Sequence, residues 1–180
     1  MEIHRVTVTP LRSNCFVLKS GNQIVLVDPG GDPERIVKRV QTLGGTVVAI
    51  VATHYHFDHT GAVEKLLELY KAPFAIHEND VPFLEAIKPD QVLIDGSEIA
   101  CDDEVLQVIH TPGHTPGSIC LLGDGFILTG DTLFQHGYGR TDFPGGSEEE
   151  MMRSLAKLEK IMVPGMTVYP GHGLPFEVKL

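Results

Sequence analysis

Thr53-His54-Tyr55-His56-Phe57-Asp58-His59 places three imidazoles and a carboxylate within six positions, directly after the apolar run at 47–52. Each of those four side chains is costly to bury unpaired, and a core has no use for so many in so short a stretch. Neutral imidazole and carboxylate are the ligands that borderline divalent metals prefer. The segment therefore reads as a metal cradle at the end of a buried strand. Its remaining ligands should lie elsewhere in the chain.

Three residues in unusual settings supply them. His114 stands in Thr111-Pro112-Gly113-His114-Thr115-Pro116-Gly117, a turn-rich loop behind a strand-like run. Asp131 follows another such run as Gly130-Asp131-Thr132, and His172 sits between glycines after Tyr169-Pro170. All three fall in strand-end loops, where a sheet presents functional groups.

Periodicity around these loops predicts an alternating fold. Runs at 3–9, 15–19 and 23–28 read as strands, and Asp28-Pro29-Gly30-Gly31 forces a turn. Asp32-Pro33 predicts an N-cap with proline at the first helical position. Ile36, Val37, Val40 and Leu43 form that helix's apolar face, and Gly44-Gly45 stops it. The run at 47–52 suits a strand covered on both faces. A helix over about 60–70, a strand at 74–76 and a helix near 81–87 complete the first half. Strands follow at 92–94, 98–100, 105–110, 118–122 and 126–129. A last helix starts at Ser147, with Glu150 completing a capping box and Met151, Leu155, Leu158 and Met162 as its apolar stripe. A strand at 166–169 closes the pattern. Two halves, each of strands and helices, predict a layered α/β sandwich with its site where strand ends meet.

Bulk properties narrow the partners. The 180 residues are 42% hydrophobic and 21% charged, ordinary for one globular domain. A net charge of −10 opposes polyphosphate backbones, which argues against a nucleic-acid partner. Cys15, Cys101 and Cys120 are far apart and odd in number, as expected for buried free thiols in a reducing, cytoplasmic setting. No signal-peptide core is present, and the longest apolar run is far too short to span a bilayer, so no membrane association is expected. Nothing in the sequence sets an oligomeric state.

The ordered set His54, His56, Asp58, His59, His114, Asp131 and His172 resembles the metallo-β-lactamase fold superfamily over essentially the whole chain. Residues 111–118, 130–134 and Gly139-Arg140-Thr141-Asp142-Phe143-Pro144-Gly145-Gly146 are most similar to its glyoxalase-II-like (hydroxyacylglutathione hydrolase) branch. The resemblance implies a four-layer αββα sandwich and two divalent metal ions, zinc first, with iron or manganese as alternatives. His54, His56 and His114 would hold one ion, Asp58, His59 and His172 the other, with Asp131 bridging. It further implies hydrolysis of a small-molecule acyl thioester, such as an S-2-hydroxyacylglutathione, by a metal-bridging hydroxide. Asp58 would orient the attacking water, and Arg140 and Tyr138 would contact the thiol portion. Full-length glyoxalase II enzymes add a C-terminal helical domain. This chain ends eight residues past His172, so residues 1–180 are expected to be one hydrolase domain without it, and a thiol other than glutathione fits equally well. The likeness extends to mononuclear iron persulfide dioxygenases, oxidoreductases that would use His54, His114 and Asp131 for one iron.

Other polar residues have blander expectations. His4 and His77 read as surface or strand-edge residues, and His136 lacks motif support. His110 is placed to hydrogen-bond a metal ligand. Asp28 reads as a turn-former, with orientation of the His-rich loop as its alternative.

Overall fold

The computed structural model describes residues 1–179. Its first sheet runs β1 (Glu2–Val8), β2 (Ser13–Ser20), β3 (Gln23–Val27), β4 (Thr46–Val51), β5 (Phe74–His77) and β6 (Gln91–Leu93), in that spatial order. β1 to β3 are antiparallel neighbours, and β3 to β6 are parallel. The parallel steps need crossovers, supplied by α1 (Pro33–Leu43) and by α2 (Phe57–Thr60) with α3 (Val63–Tyr70). The second sheet contains β7 (Glu98–Cys101), β8 (Glu104–His110), β9 (Ile119–Gly123) and β10 (Phe126–Gly130). With β13 (Thr167–Pro170) and β14 (Phe176–Glu177), its order is β14-β13-β10-β9-β8-β7. A separate ribbon of β11 (Leu133–Phe134) and β12 (Gly137–Tyr138) precedes α4 (Glu148–Ile161).

Strand alternation sorts the apolar residues into three layers. Along β3, Ile24 and Leu26 face Ile36, Val40, Val63 and Leu66 of α1 and α3. Val25 and Val27 face the second sheet, against Leu106, Val108, Leu121 and Leu128. Behind that sheet, Ile109, Cys120, Ile127 and Val168 pack on Leu158 of α4. Helix, sheet, sheet and helix form the expected αββα sandwich. Ser147 caps α4, its hydroxyl accepting from the Glu150 N–H at 3.3 Å. All three cysteines are buried and unpaired. No helix among the described residues is long and apolar enough to cross a membrane.

The departures from expectation have local causes. The helix expected over 60–70 is split, because the Ala62 N–H donates to Pro29 O at 2.9 Å while Gly61 lies against the Gly30 backbone. The helix expected near 81–87 is instead a 3-10 turn at Glu78–Phe83 that contains Pro82, whose nitrogen has no hydrogen to donate. Asp32 does precede α1, but its carboxylate accepts from the Thr9 N–H and hydroxyl at 3.0 and 2.8 Å and caps nothing. The two-residue strands β11, β12 and β14 are too short to leave a period in the sequence.

Candidate metal centre

The loops at the C-terminal ends of β4, β8, β10 and β13 open on one edge of the sandwich, and there they bring all seven expected ligands together. His54, Asp58, His59, His114 and Asp131 are buried, while His56 and His172 are partly exposed. One potential ligand atom from each of His54, His56 and His114 lies within 4.8 Å of the others. The same holds for His54, His59 and Asp131, and for Asp58, His59 and His172. Because Asp131 falls into the set between the two triads, its carboxylate lies where both can share it.

Hydrogen bonds fix which imidazole nitrogen faces inward. Thr53 donates its hydroxyl to Asp28 Oδ2 at 2.7 Å, so its oxygen is left to accept from His54 Nδ1 at 3.1 Å. His59 Nδ1 faces Asp28 Oδ2 at 3.0 Å, and His114 Nδ1 donates to the Arg140 carbonyl at 2.7 Å. With each Nδ1 carrying its hydrogen outward, the Nε2 lone pairs of His54, His59 and His114 point into the centre. His59 Nε2 then lies 3.4 Å from Asp58 Oδ2 and from Asp131 Oδ1, and His114 Nε2 lies 3.5 Å from Asp131 Oδ2. Among the described residues, His54 Nε2, His59 Nε2 and Asp131 Oδ1 are buried without a hydrogen-bond partner. A cluster of inward lone pairs and carboxylates, with its outward donors already satisfied, fits cations. Gly171 closes the wall: a Cβ there would clash with Asp131 Oδ1 and meet His59 Cε1 at 2.8 Å.

The electrostatics follow from the same crowding. Burial, together with neighbouring His59 and His114, holds His54 well below its usual range. Burial and His114 lower His56 to about 4. Burial also opposes a charge on His59, but Asp131 and Asp28 outweigh it and push this imidazole well above its ordinary value. Burial raises Asp58, yet the neighbouring imidazoles of His172 and His59 prevail and bring its carboxyl below the ordinary range.

Two carboxylates outside the expected set organise the centre. Asp28 accepts from the Thr53 N–H at 2.6 Å as well as from the Thr53 hydroxyl and His59, all in a buried setting. It therefore orients the His-rich loop, and the turn-forming reading is corrected. Asp80 is fully buried and accepts from the Tyr55 N–H at 2.9 Å, the Thr115 hydroxyl at 2.8 Å and the Gly117 N–H at 2.6 Å. It ties the loop carrying His54 and His56 to the loop carrying His114. Burial pushes its carboxyl up to about 6. Neither residue has a spacing signature. For Asp28 the sequence hint is a carboxylate directly behind an apolar strand; Asp80, inside the 3-10 turn, has none.

Other expectations are revised too. His77 is buried and stacks on His110, ring centroids 4.0 Å apart. His110 Nε2 lies 2.9 Å from the Pro116 carbonyl, so it supports the loop of His114 and touches no expected ligand. His4 lies on edge strand β1 beside Glu2, and His136 is exposed. The centre forms the floor of a pocket of about 560 Å³ walled by Leu11, Tyr55, Phe57, Phe134, Tyr138 and Phe143. Arg140 borders it, but its guanidinium makes two bonds to Asp142, at 2.9 and 2.7 Å, and lies 4.4 Å over Phe143. The Tyr138 hydroxyl donates to Glu148 at 2.7 Å.

Comparison with known proteins places this geometry. The chain is 32% identical to the probable metallo-hydrolase YqgX of Bacillus subtilis, over 96% of this chain and 90% of that one. It is 31% identical to the hydroxyacylglutathione hydrolase GloC of Haemophilus influenzae, over 96% and 91%. A protein crystallised in a di-iron-bound form superposes with a TM-score of 0.87 at 34% identity, covering 97% of this chain and 94% of the other. With residues 8–172 also matching its family model, the chain belongs to the metallo-beta-lactamase superfamily.

Proposed function

We propose that this protein is a metal-dependent hydrolase of acyl thioesters, similar in chemistry to the hydroxyacylglutathione hydrolases. The observation that carries the reading is the set of buried, unpartnered atoms, His54 Nε2, His59 Nε2 and Asp131 Oδ1, on the floor of an apolar pocket. His54, His56 and His114 would hold one ion and Asp58, His59 and His172 a second, with Asp131 shared between them. Two divalent ions there, zinc first with iron or manganese as alternatives, would supply Lewis acidity and lower the pKa of water toward neutrality.

The chain's own residues do the rest. Phe57, Phe134 and Phe143 cover the acyl group and keep bulk water from the scissile carbonyl. Asp58, whose Oδ2 lies 3.1 Å from His172 Nε2, is the catalytic residue and accepts a hydrogen bond from the attacking water. Its depressed pKa keeps it ionised for that task. Asp28 and Asp80 position the loops and hold the imidazole tautomers that the centre requires. Hydrolysis breaks the carbonyl–sulfur bond, and water supplies the carboxylate oxygen and the thiol proton. The likeness to a hydroxyacylglutathione hydrolase supports this reading.

A second reading, an iron persulfide dioxygenase using His54, His114 and Asp131, draws on the likeness to the di-iron-bound structure, which makes iron a realistic occupant. One preparation, analysed for metal and assayed with a thioester panel including S-lactoylglutathione and for oxygen uptake with a persulfide, separates the two. Thioester hydrolysis without oxygen uptake is the expected result. Oxygen consumption with the persulfide and no hydrolysis of any thioester would overturn the proposal.

A further inference from the structure

The active pocket is not closed on the side of β1. Leu11 and His172 line both it and an adjoining depression of about 360 Å³, which also contains Arg5 and Arg12. Arg5 and Thr7 in turn line a further groove of about 620 Å³ between β1 and α1, together with Arg35, Lys38 and Arg39. A continuous track therefore leads from the centre across the edge of the first sheet. It carries five of the chain's 14 Lys and Arg side chains, and among the described residues no carboxylate lines either groove.

That distribution needs a cause in a chain of net charge −10. Of the nine Lys and Arg side chains elsewhere, four are paired with carboxylates: Lys65 with Glu68, Arg140 with Asp142, Arg153 with Glu149 and Glu150, and Lys157 with Asp95. On the track only Arg35 has a carboxylate partner, Asp32 at 3.3 Å, and Arg5, Arg12, Lys38 and Arg39 form no ion pair among the described residues. Two guanidiniums are nevertheless anchored, Arg5 on the Gly173 carbonyl and Arg35 on the Thr7 carbonyl, both at 2.7 Å. Each keeps further N–H donors for a ligand. Five cations gathered around a single carboxylate make a positive patch that attracts anions.

We propose that this track binds the thiol half of the substrate, and that this thiol carries phosphate groups; the assignment rests on the thioester-hydrolase reading above. The chemistry discriminates between thiols. Glutathione brings an α-ammonium along with its carboxylates, and among the described residues neither groove has a carboxylate to receive it. A phosphorylated thiol brings several negative charges and no cation, which matches a lining of Arg forks and Lys. The apolar walls then take the acyl half, and the sulfur lies between the two, above the centre.

The test uses one acyl group on three thiols, coenzyme A, glutathione and phosphate-free pantetheine, assayed with wild type and with the Lys38→Gln/Arg39→Gln double variant. Both substituted residues are exposed and outside the catalytic machinery. The expected result is a kcat/KM about tenfold higher for the coenzyme A ester than for the pantetheine ester at low salt, carried by KM. The double variant should bring the two esters to near parity without changing pantetheine-ester turnover. Calorimetry with adenosine 3′,5′-bisphosphate, a probe without thioester, should show binding to wild type that weakens at least about fivefold in the double variant. Equal wild-type kcat/KM for the two esters, or a preference untouched by the double substitution, overturns the proposal. So does faster turnover of an acylated acidic carrier protein that depends on Lys38 and Arg39, which would assign the track to a protein partner. Bisphosphate binding through these residues without hydrolysis of any thioester would support the anion track while removing the thioester reading.

Discussion

Asp131 and His56 show how differently single side chains enter the centre. Asp131 lies between two triads and presents a buried, unpartnered Oδ1, whereas His56 is partly exposed and meets His114 Nε2 at 2.9 Å. Replacing either with alanine is expected to lower thioester turnover about a hundredfold or more, with circular dichroism unchanged. Wild-type-like turnover by either variant would contradict their placement in the centre. Arg140 gives the opposite expectation. The family resemblance implies that it contacts the thiol portion, but Asp142 already holds its guanidinium in a bidentate, exposed pair. Arg140→Ala should therefore change KM by less than about threefold, and a tenfold rise would show that Asp142 yields to substrate. The seven expected ligands were legible because their residue types are improbable in a core. Asp28 and Asp80 were not, since one carboxylate behind a strand looks the same whether it turns the chain or pins a neighbouring loop.

The elements explain why those ligands arrive together. β4, β8, β10 and β13 end at one edge, and Asp80, just past β5, joins two of the loops through three hydrogen bonds. Asp80→Ala leaves the Tyr55 and Gly117 N–H donors without acceptors, and should destabilise the fold by about 2–4 kcal/mol in urea unfolding. A loss below about 1 kcal/mol would mean that water replaces the carboxylate. The stacked pair of His77 and His110 predicts a pH dependence. Burial first, then His110, lowers His77 to about 4 from its ordinary 6.5. The folded state thus resists a proton that the unfolded chain accepts. The contribution from neutral His77 is complete above pH 6.5 and is lost as pH falls toward 4. Urea midpoints of the metal-loaded protein should decline over that window, and less steeply in His77→Phe; parallel declines would exclude His77. Long strands and α4 were legible from period and capping. The division of the 60–70 helix was not, because it depends on Pro29 and Gly30, some thirty residues away, taking the Ala62 donor.

At the scale of the whole molecule, two sheets and two helical layers build three apolar interfaces, leaving polar chemistry to one open edge. Alternation within β3 makes that layering readable in sequence, since Ile24 and Leu26 serve one interface and Val25 and Val27 the next. The basic track was not readable, because Arg5, Arg12 and Arg35 come from separate segments and meet only once β1 and α1 pack side by side. The central claim is that the seven residues form one centre for two cations. Native mass spectrometry of chain equilibrated with excess zinc and then desalted tests it most directly. Two ions per wild-type chain, falling to one or none in Asp131→Ala, is the expected result. A wild-type chain holding a single ion or none, or an Asp131→Ala chain that still retains two, would contradict it.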